Sequence, residues 1–151
     1  MTQKNSAVIG FVSLMFALYT AMVMGHSRAS FEKATITIGK KELALEYANT
    51  PELRSHGLQH RKVMCDDCGM LFKFEESHIA SFWMKDTFLP LDIAFVTADG
   101  HIIRIAQMQP FEMKMESSKE PVLYAIEMHQ GWFAKNNVKV GDIVDFSQIT
   151  Q

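Results

Sequence analysis

The stretch from Ser81 to Gly100 brings together residue types that often form binding sites. Its sequence is SFWMKDTFLPLDIAFVTADG, in which Trp83, Lys85 and Asp92 lie within ten residues. If residues 80–85 form a strand, Trp83 and Lys85 lie on the same face of it. Ligand pockets are typically concave and apolar, with a few polar groups that orient the ligand. We therefore predict that Trp83 stacks on a small polar ligand to which Lys85 and Asp92 hydrogen-bond.

Two charged residues outside this stretch, Arg61 and Glu127, are predicted to belong to the same binding site. Asp92 and Glu127 each interrupt an otherwise apolar strand face. A carboxylate in such a position must be paired or hydrogen-bonded, because its desolvation is otherwise too costly. Arg61 is the candidate partner, although a purely structural salt bridge would look the same in the sequence.

A structural interpretation of the same stretch remains open. Trp83 and Met84 would then be core residues, as large apolar side chains often are. Lys85 would pair with Asp86 or Asp92. A cavity beside Trp83 would distinguish the two interpretations, because a plain core residue adjoins none.

The pair Asp92 and Glu127 also raises the question of catalysis. Two carboxylates at a suitable separation can act as general acid and general base, as they do in glycoside hydrolases. No nucleophile elbow, catalytic triad or zincin motif accompanies them in the sequence. We therefore predict a non-enzymatic binding protein with no catalytic residues, and a carboxylate-dependent hydrolase is the least favoured alternative.

The two cysteines, Cys65 and Cys68, form a C-x-x-C motif. In an exported protein such a pair can be a disulfide, a redox-active dithiol or half of a metal site. Reactive thiolates are stabilised by positive surroundings, whereas here two aspartates separate the cysteines. We therefore predict a short-range disulfide that fixes the loop.

A metal site is the leading alternative function. His60, Met64, Cys65, Cys68 and Met70 lie within eleven residues. Thiolate and thioether ligands suit Cu(I), so copper handling is the form that this alternative takes. Methionine is also a common filler of irregular cores, and no second cysteine pair or His-x3-His motif completes a zinc site. The main prediction is therefore that the protein has no cofactor.

The elements that would position these residues are mostly short strands. Thr50, Pro51 and Glu52 form a helix start, with a hydroxyl N-cap, a proline at the first helical position and an acid in the first turn, and this helix should run to about Arg61. The remaining pattern predicts strands at 35–38, 42–47, 69–74, 80–85, 91–97, 101–108 and 122–128, a loop at 109–121, a helical segment at 131–136 and a closing segment at 138–146. This content predicts a mainly β (α+β) fold, a compact antiparallel β-barrel or sandwich with two short helices.

The Asp99-Gly100 dipeptide is the strongest hairpin signal in the chain. A two-residue turn there pairs Asp92 with Gln107, and the same register runs from Leu91 opposite Met108 up to Val96 opposite Ile103. The two strands are apolar on both faces over most of their length, which predicts a central position in the sheet. A longer turn would shift this register.

The first 29 residues differ from the rest of the chain. Residues 7–25 carry no charge, and a Ser-x-Ala pattern precedes Ser30. This layout is typical of a signal peptide, although the apolar run is also long enough for an N-terminal membrane anchor. We predict a single domain at 30–151 that is exported, either periplasmic or anchored in the inner membrane and facing outward, with membrane contact only through residues 7–25 if they are not cleaved.

The charge balance bears on the partners. Of 15 basic and 17 acidic side chains, Lys4 and Arg28 precede residue 30 and no acid does. The predicted exported part therefore carries 13 basic and 17 acidic side chains, a net charge of −4. Nucleic-acid binding requires a basic surface. We predict no nucleic-acid partner, and instead a small ligand or an envelope protein that the sequence does not identify.

Several motifs together resemble one family, the domain of unknown function 192. They are Gly57-Leu58 with Arg61, Gly69–Phe72, Phe82–Lys85 with Thr87, Pro90–Ile93, Glu127, Gly131 and Val140–Asp142. The resemblance implies a small, mostly β domain with no agreed activity, often exported in bacteria and also found in archaea. The chain departs from the family pattern at Asp86, where Asn is common, and at Gln59, where Met is common. The family usually has no cysteine in the loop that holds Cys65 and Cys68, so the resemblance implies no role for them.

Overall fold

The computed structural model describes residues 30–149, and its fold is mainly β, as predicted. Seven strands and two short helices follow one another as β1 (Lys33–Ile38), β2 (Lys41–Ala48), α1 (Pro51–His56), β3 (Gly69–Phe82), β4 (Leu91–Val96), β5 (Ile102–Met108), β6 (Glu116–His129), α2 (Trp132–Lys135) and β7 (Val144–Asp145). No helix within 30–149 is long and apolar enough to cross a membrane. The predicted signal peptide or anchor at 1–29 lies outside the described residues.

The strands form one mixed sheet in the order β5-β4-β6-β3-β2-β1-β7. The sequence predicts an antiparallel sheet, and the neighbouring pairs are antiparallel except for β2 and β3, which run parallel. Parallel neighbours need a crossover connection rather than a tight turn. Residues 49–68, which include α1, form that crossover.

The two edges of the sheet are bridged at one end by the segment that contains β7. On one side, Val144 pairs with Ile38 of β1. On the other side, the backbone N–H of Val144 donates to the Gly100 carbonyl at 2.8 Å, and the N–H of Ile102 donates to the Asp142 carbonyl at 2.9 Å. The sheet therefore closes on itself at this end, which is the barrel-like form expected from the sequence.

Apolar side chains cover both faces of the sheet. One buried cluster fills the face towards β1, β2, β7 and α2, and it contains Leu71, Ala94, Ile126, Met128 and Trp132. A second cluster lies on the opposite face, and it contains Met70, Phe72, Ile93, Phe95 and Ala125, with Leu58 and Met84 packed over them. All six residues of β4 are buried. The predicted central position is therefore confirmed for β4 and wrong for β5, which is the first strand in the sheet order and is fully buried only at its two ends.

The predicted β4–β5 register is confirmed over most of its length. Leu91 pairs with Met108, Asp92 with Gln107, and the same register continues to Phe95. It fails next to the turn, where Val96 pairs with Ile102 rather than with Ile103. The Gly100 N–H donates to the Thr97 carbonyl at 3.0 Å, so the loop is one residue longer than the two-residue turn, and a β-bulge absorbs the difference.

The strand predicted at 80–85 is partly wrong. Residues 69–82 form one continuous strand, β3, which ends at Phe82. The Thr87 N–H then donates to the Met84 carbonyl at 3.2 Å, and Asp86 has a φ of 53°. Lys85 therefore lies in a turn at residues 84–87 and Trp83 directly precedes it, so strand alternation does not set their directions.

Two other element boundaries differ from the prediction. Helix α1 ends at His56 instead of near Arg61, because Gly57 adopts a φ of 52°, which lies outside the helical region. Strand β6 begins at Glu116 and includes Pro121, so the loop predicted at 109–121 is shorter. The register of β6 against β3 is irregular near Pro121, as expected where a proline enters a strand.

Candidate functional site

A cavity opens between the end of α1 and the turn that follows β3. Its volume is about 40 Å³, which is room for a few water molecules, since one needs roughly 10–15 Å³. It is lined by Arg54, Ser55, His56, Gly57, Leu58, Gln59, Phe72, Phe82, Trp83, Thr87 and Glu127. Two of the five ligand-binding residues predicted from the sequence, Trp83 and Glu127, are therefore brought together here.

Glu127 is the buried acid of this cavity. It lies on β6, directly opposite Met70 on one neighbouring strand and Ile93 on the other, so it points to the same apolar face as they do. The residue is only 5% exposed, and its carboxyl group makes no hydrogen bond within residues 30–149. Burial raises the pKa of Glu127 from 4.5 to about 8. This carboxyl group is therefore protonated at neutral pH.

Trp83 forms part of the cavity wall and is also accessible from solvent. It is 44% exposed, so it is neither fully buried nor part of a closed core. Phe72 and Phe82 also line the cavity, and their rings meet edge to face with centroids 5.0 Å apart. Lys85 is exposed and places its Nζ 5.6 Å from the centroid of the Trp83 ring. Lys85 thus lies beside the wall of the cavity without lining it.

Asp92 is on the opposite face of the sheet from Glu127. It pairs directly with Met128 on β6, and Met128 belongs to the other apolar cluster. One carboxylate oxygen of Asp92 accepts a 2.8 Å hydrogen bond from the Gly131 N–H, and the other is buried with no partner among the described residues. Burial raises the pKa of Asp92, and the Gly131 N–H counteracts part of this effect. Because Asp92 and Glu127 face different sides, they do not form a carboxylate pair around one substrate bond.

Arg61 does not pair with either buried acid, and the predicted pairing is wrong. Its guanidinium group forms a bidentate, partly buried salt bridge with Glu46 of β2. The physical reason is the crossover connection, which carries Arg61 towards β2. Its guanidinium carbon also lies 5.8 Å from the centroid of the Phe31 ring. Arg61 stabilises the crossover and does not line the cavity.

Helix α1 and its C-terminal turn supply one wall of the cavity that was not predicted from the sequence. His56 and Gln59 line the cavity from this side, and so does Arg54. Arg54 donates to the Lys73 carbonyl at 2.7 Å and to Glu75 at 2.6 Å, so its charge is already balanced. The predicted helix continued past Gly57 to about Arg61, so the turn that begins at Gly57 was not predicted. The Gly57-Leu58 motif was the available signal, because a glycine there indicates a helix end.

The family assignment follows from a match over most of this domain. The family model DUF192, described as Uncharacterized ACR, matches residues 34–146. The chain belongs to this family. No curated protein matches the chain.

Two solved structures have the same fold as this DUF192 domain. One is a protein from Sinorhizobium meliloti 1021 named as a candidate transcription regulator; it is 33% identical, has a TM-score of 0.77, and the match covers 82% of this chain and 100% of that chain. The other is a protein of unknown function from Novosphingobium aromaticivorans DSM 12444; it is 29% identical, has a TM-score of 0.75, and the match covers 81% of this chain and 91% of that chain.

The two cysteines of the C-x-x-C motif are bonded to each other. Cys65 and Cys68 form a disulfide, and the Cys68 N–H donates to the Cys65 carbonyl at 3.0 Å. Between them, Asp67 accepts hydrogen bonds from Lys41 at 2.9 Å and from the Trp132 indole N–H at 2.8 Å. These contacts lower the pKa of Asp67, chiefly through the Lys41 hydrogen bond. The disulfide thus holds a loop that ties the crossover to β2 and α2.

The residues of the copper alternative lie in different environments. The sulfurs of Cys65 and Cys68 are joined and are not thiolates. Met70 is fully buried in the core, Met64 packs against the same cluster, and His60 is exposed. Within residues 30–149, no group of three or more His, Cys, Asp or Glu side chains could hold a metal ion. In its oxidised form the loop offers no thiolate to a metal ion.

Proposed function

We propose that this domain is an exported, non-enzymatic binding protein that holds a small polar ligand, or one side chain of an envelope partner, in the cavity beside Trp83. One observation carries the proposal: Glu127 is only 5% exposed, its carboxyl group makes no hydrogen bond within residues 30–149, and it borders a cavity that is open to solvent. A hydrogen bond or ion pair to a carboxyl group in such a poorly solvated place is worth more than the same contact at an open surface. A ligand that supplies this contact gains its free energy without displacing a contact within the described protein.

The size of the cavity limits what can enter it. A volume of about 40 Å³ is well below the roughly 300–1,000 Å³ of pockets that enclose a whole drug-sized ligand. The cavity therefore fits a protruding group of a few heavy atoms. The rest of the ligand or partner would lie across the half-exposed Trp83 ring, whose flat apolar surface suits such contacts.

Two features support an exported location. The uncharged run at 7–25 has the composition of an export signal. The Cys65–Cys68 disulfide is a type of bond that persists in oxidising compartments. We place the domain in the periplasm or at the outer face of the inner membrane.

Nucleic acid is not a proposed partner, despite the name of one similar structure. The candidate transcription regulator from Sinorhizobium meliloti shares the fold. This chain, however, has 17 acidic and 15 basic side chains, and phosphate backbones attract proteins with the opposite balance.

A cavity-blocking variant tests the proposal. Ser55 lines the cavity from the exposed side of α1, so Ser55→Trp should fill the opening without disturbing the core. A screen of small polar compounds by two-dimensional NMR should shift the indole signal of Trp83 in the wild type and not in this variant. Glu52→Trp, on the same helix but outside the cavity, is the matched control and should behave as the wild type. Equal responses in Ser55→Trp and the wild type would refute the proposed site.

A further inference from the structure

We propose that the group which enters the cavity is a small ammonium group, with the Glu127 carboxylate as its counter-charge and the Trp83 ring as its aromatic contact. This inference rests on the proposed function and specifies the chemical class of its ligand. Alkylamines, amino sugars and the lysine side chain of a partner protein all carry such a group.

The composition of the cavity wall favours a cation. A buried carboxyl group with no partner in the described chain lies beside three aromatic residues, Phe72, Phe82 and Trp83. Aromatic faces attract ammonium ions through their quadrupole, and Trp does so best. Recognition of ammonium groups commonly combines aromatic rings in this way. The small cavity volume also matches a head group of a few heavy atoms.

The other charged groups around the cavity would leave an ionised Glu127 without a counter-charge. The Arg54 guanidinium is committed to Glu75 and to the Lys73 carbonyl. The Lys85 Nζ lies 5.6 Å from the centroid of the Trp83 ring, within the range of a cation–π contact, and Lys85 does not line the cavity. His56 is the remaining titratable residue of the wall. None of these three forms a salt bridge or hydrogen bond with Glu127.

Proton release gives this inference a distinct signature. Burial keeps the pKa of Glu127 at about 8 in the free protein. An ammonium group binds the ionised form, so binding below this pH must release the proton from Glu127 to solvent. The affinity should therefore rise about tenfold per pH unit from pH 6 to 8 and level off above. A ligand that accepts a hydrogen bond from protonated Glu127 would show the opposite trend, with its affinity falling above pH 8.

The test uses three probes of similar size and different charge: propylammonium, propanol and propionate. Each is titrated into protein produced from the full-length chain, and the indole signal of Trp83 is followed by NMR at pH 6, 7 and 8. Propylammonium should bind best, with an affinity that rises about tenfold per unit. In Glu127→Gln its affinity at pH 8 should fall at least tenfold and lose its pH dependence. Asp92→Asn removes a carboxylate from the opposite face of the sheet and should match the wild type, and His56→Gln should retain the pH dependence.

The outcomes separate the two proposals. If propanol or propionate binds best and shifts Trp83, the ammonium inference is overturned and the proposed binding site stands. The inference is also overturned if propylammonium binds without pH dependence, or equally well to Glu127→Gln. If none of the probes shifts Trp83 in a wild type whose amide spectrum shows it folded, the inference is overturned, and the Ser55→Trp screen decides the proposed function separately.

Discussion

At the scale of single residues, the protonation of Glu127 makes the stability of the fold depend on pH. Its pKa is raised from 4.5 to about 8 by burial alone. Between these two pH values the unfolded chain loses this proton and the folded protein retains it. Stability is therefore highest below the unfolded pKa and falls as the pH rises towards the folded pKa, by about 1.4 kcal/mol per pH unit.

Glu127→Gln should remove this dependence, because glutamine has nearly the same shape and no titratable proton. We expect the variant to gain roughly 3 kcal/mol of unfolding free energy relative to the wild type between pH 5 and pH 7.5. Urea unfolding at the two pH values measures the difference. If the unfolding free energies of the two proteins change with pH in parallel, the raised pKa of Glu127 is contradicted.

The residue scale also shows what sequence reasoning can achieve. Trp83 and Glu127 were identifiable, because a tryptophan beside polar residues and an acid on an apolar strand face are local signals. The partner of Arg61 was not identifiable. Glu46 lies 15 positions earlier in the chain, and the pairing depends on the parallel placement of β3 beside β2. No local pattern indicates which strand the crossover follows.

At the scale of elements, the crossover between β2 and β3 is fixed by the Cys65–Cys68 disulfide. The closed loop is short, so the chain-entropy estimate of its contribution is about 2 kcal/mol. Cys65→Ser combined with Cys68→Ser should lower the unfolding free energy by this amount and leave the fold intact. Thermal unfolding with and without reductant measures the effect in the wild type. If reductant still lowers the unfolding temperature of the double variant, the disulfide is not the source of the stability lost on reduction.

The contact between β3 and β6 depends on a glycine at the start of β3. A Cβ atom at Gly69 would lie 2.2 Å from the Glu127 carbonyl oxygen and 2.4 Å from the Met128 sulfur. The nearest of these atoms belongs to the backbone of a paired strand, which cannot shift easily. Gly69→Ala should therefore cost about 3 kcal/mol, the upper end of the usual cost of overpacking a core. Gly39→Ala is the control: its Cβ would meet nothing within 4 Å, so only its positive φ should cost about 1 kcal/mol. Chemical denaturation measures the unfolding free energy of both variants. If Gly69→Ala and Gly39→Ala lose similar amounts, the steric clash at Gly69 is refuted.

The elements themselves were largely predictable, whereas their ends were not. The hairpin register of β4 and β5 followed from the Asp99-Gly100 signal, apart from one residue displaced by the longer turn. Residues 83–85 were expected to continue a strand. Their actual turn is set by long-range backbone contacts, such as the hydrogen bond from the Met84 N–H to the Glu112 carbonyl at 3.0 Å. A local hydrophobic pattern contains no information about such a contact.

At the scale of the whole described domain, closure of the sheet depends on a short C-terminal segment. Residues 141–144 hydrogen-bond to Ile102, the first residue of β5, and to Gly100 just before it, and β7 pairs with β1. The sequence predicted either a barrel or a sandwich. It did not distinguish the two, because the closing strand β7 has only two residues, too few to show a strand pattern. The closing contact joins chain segments about 40 residues apart and is made mostly by backbone groups, which carry no sequence signal.

Two adjacent residues of this closing segment should differ sharply in their effect on stability. Val144 is 2% exposed and packs in the cluster on the β1 side of the sheet, whereas Ile143 is 57% exposed. Val144→Ala should lower the unfolding free energy by about 1–3 kcal/mol, because it leaves a cavity where the two edges of the sheet meet. Ile143→Ala removes a larger side chain from the same backbone and should change the unfolding free energy by less than about 0.5 kcal/mol. Urea denaturation of both variants gives the comparison.

Hydrogen exchange tests whether the segment also closes the sheet. In Val144→Ala, exchange should speed up at Ile102, whose N–H donates to the Asp142 carbonyl. The reason is that weaker packing lets the closing segment open more often. Unchanged exchange there, despite a loss of global stability, would show that the segment contributes to the core without closing the sheet.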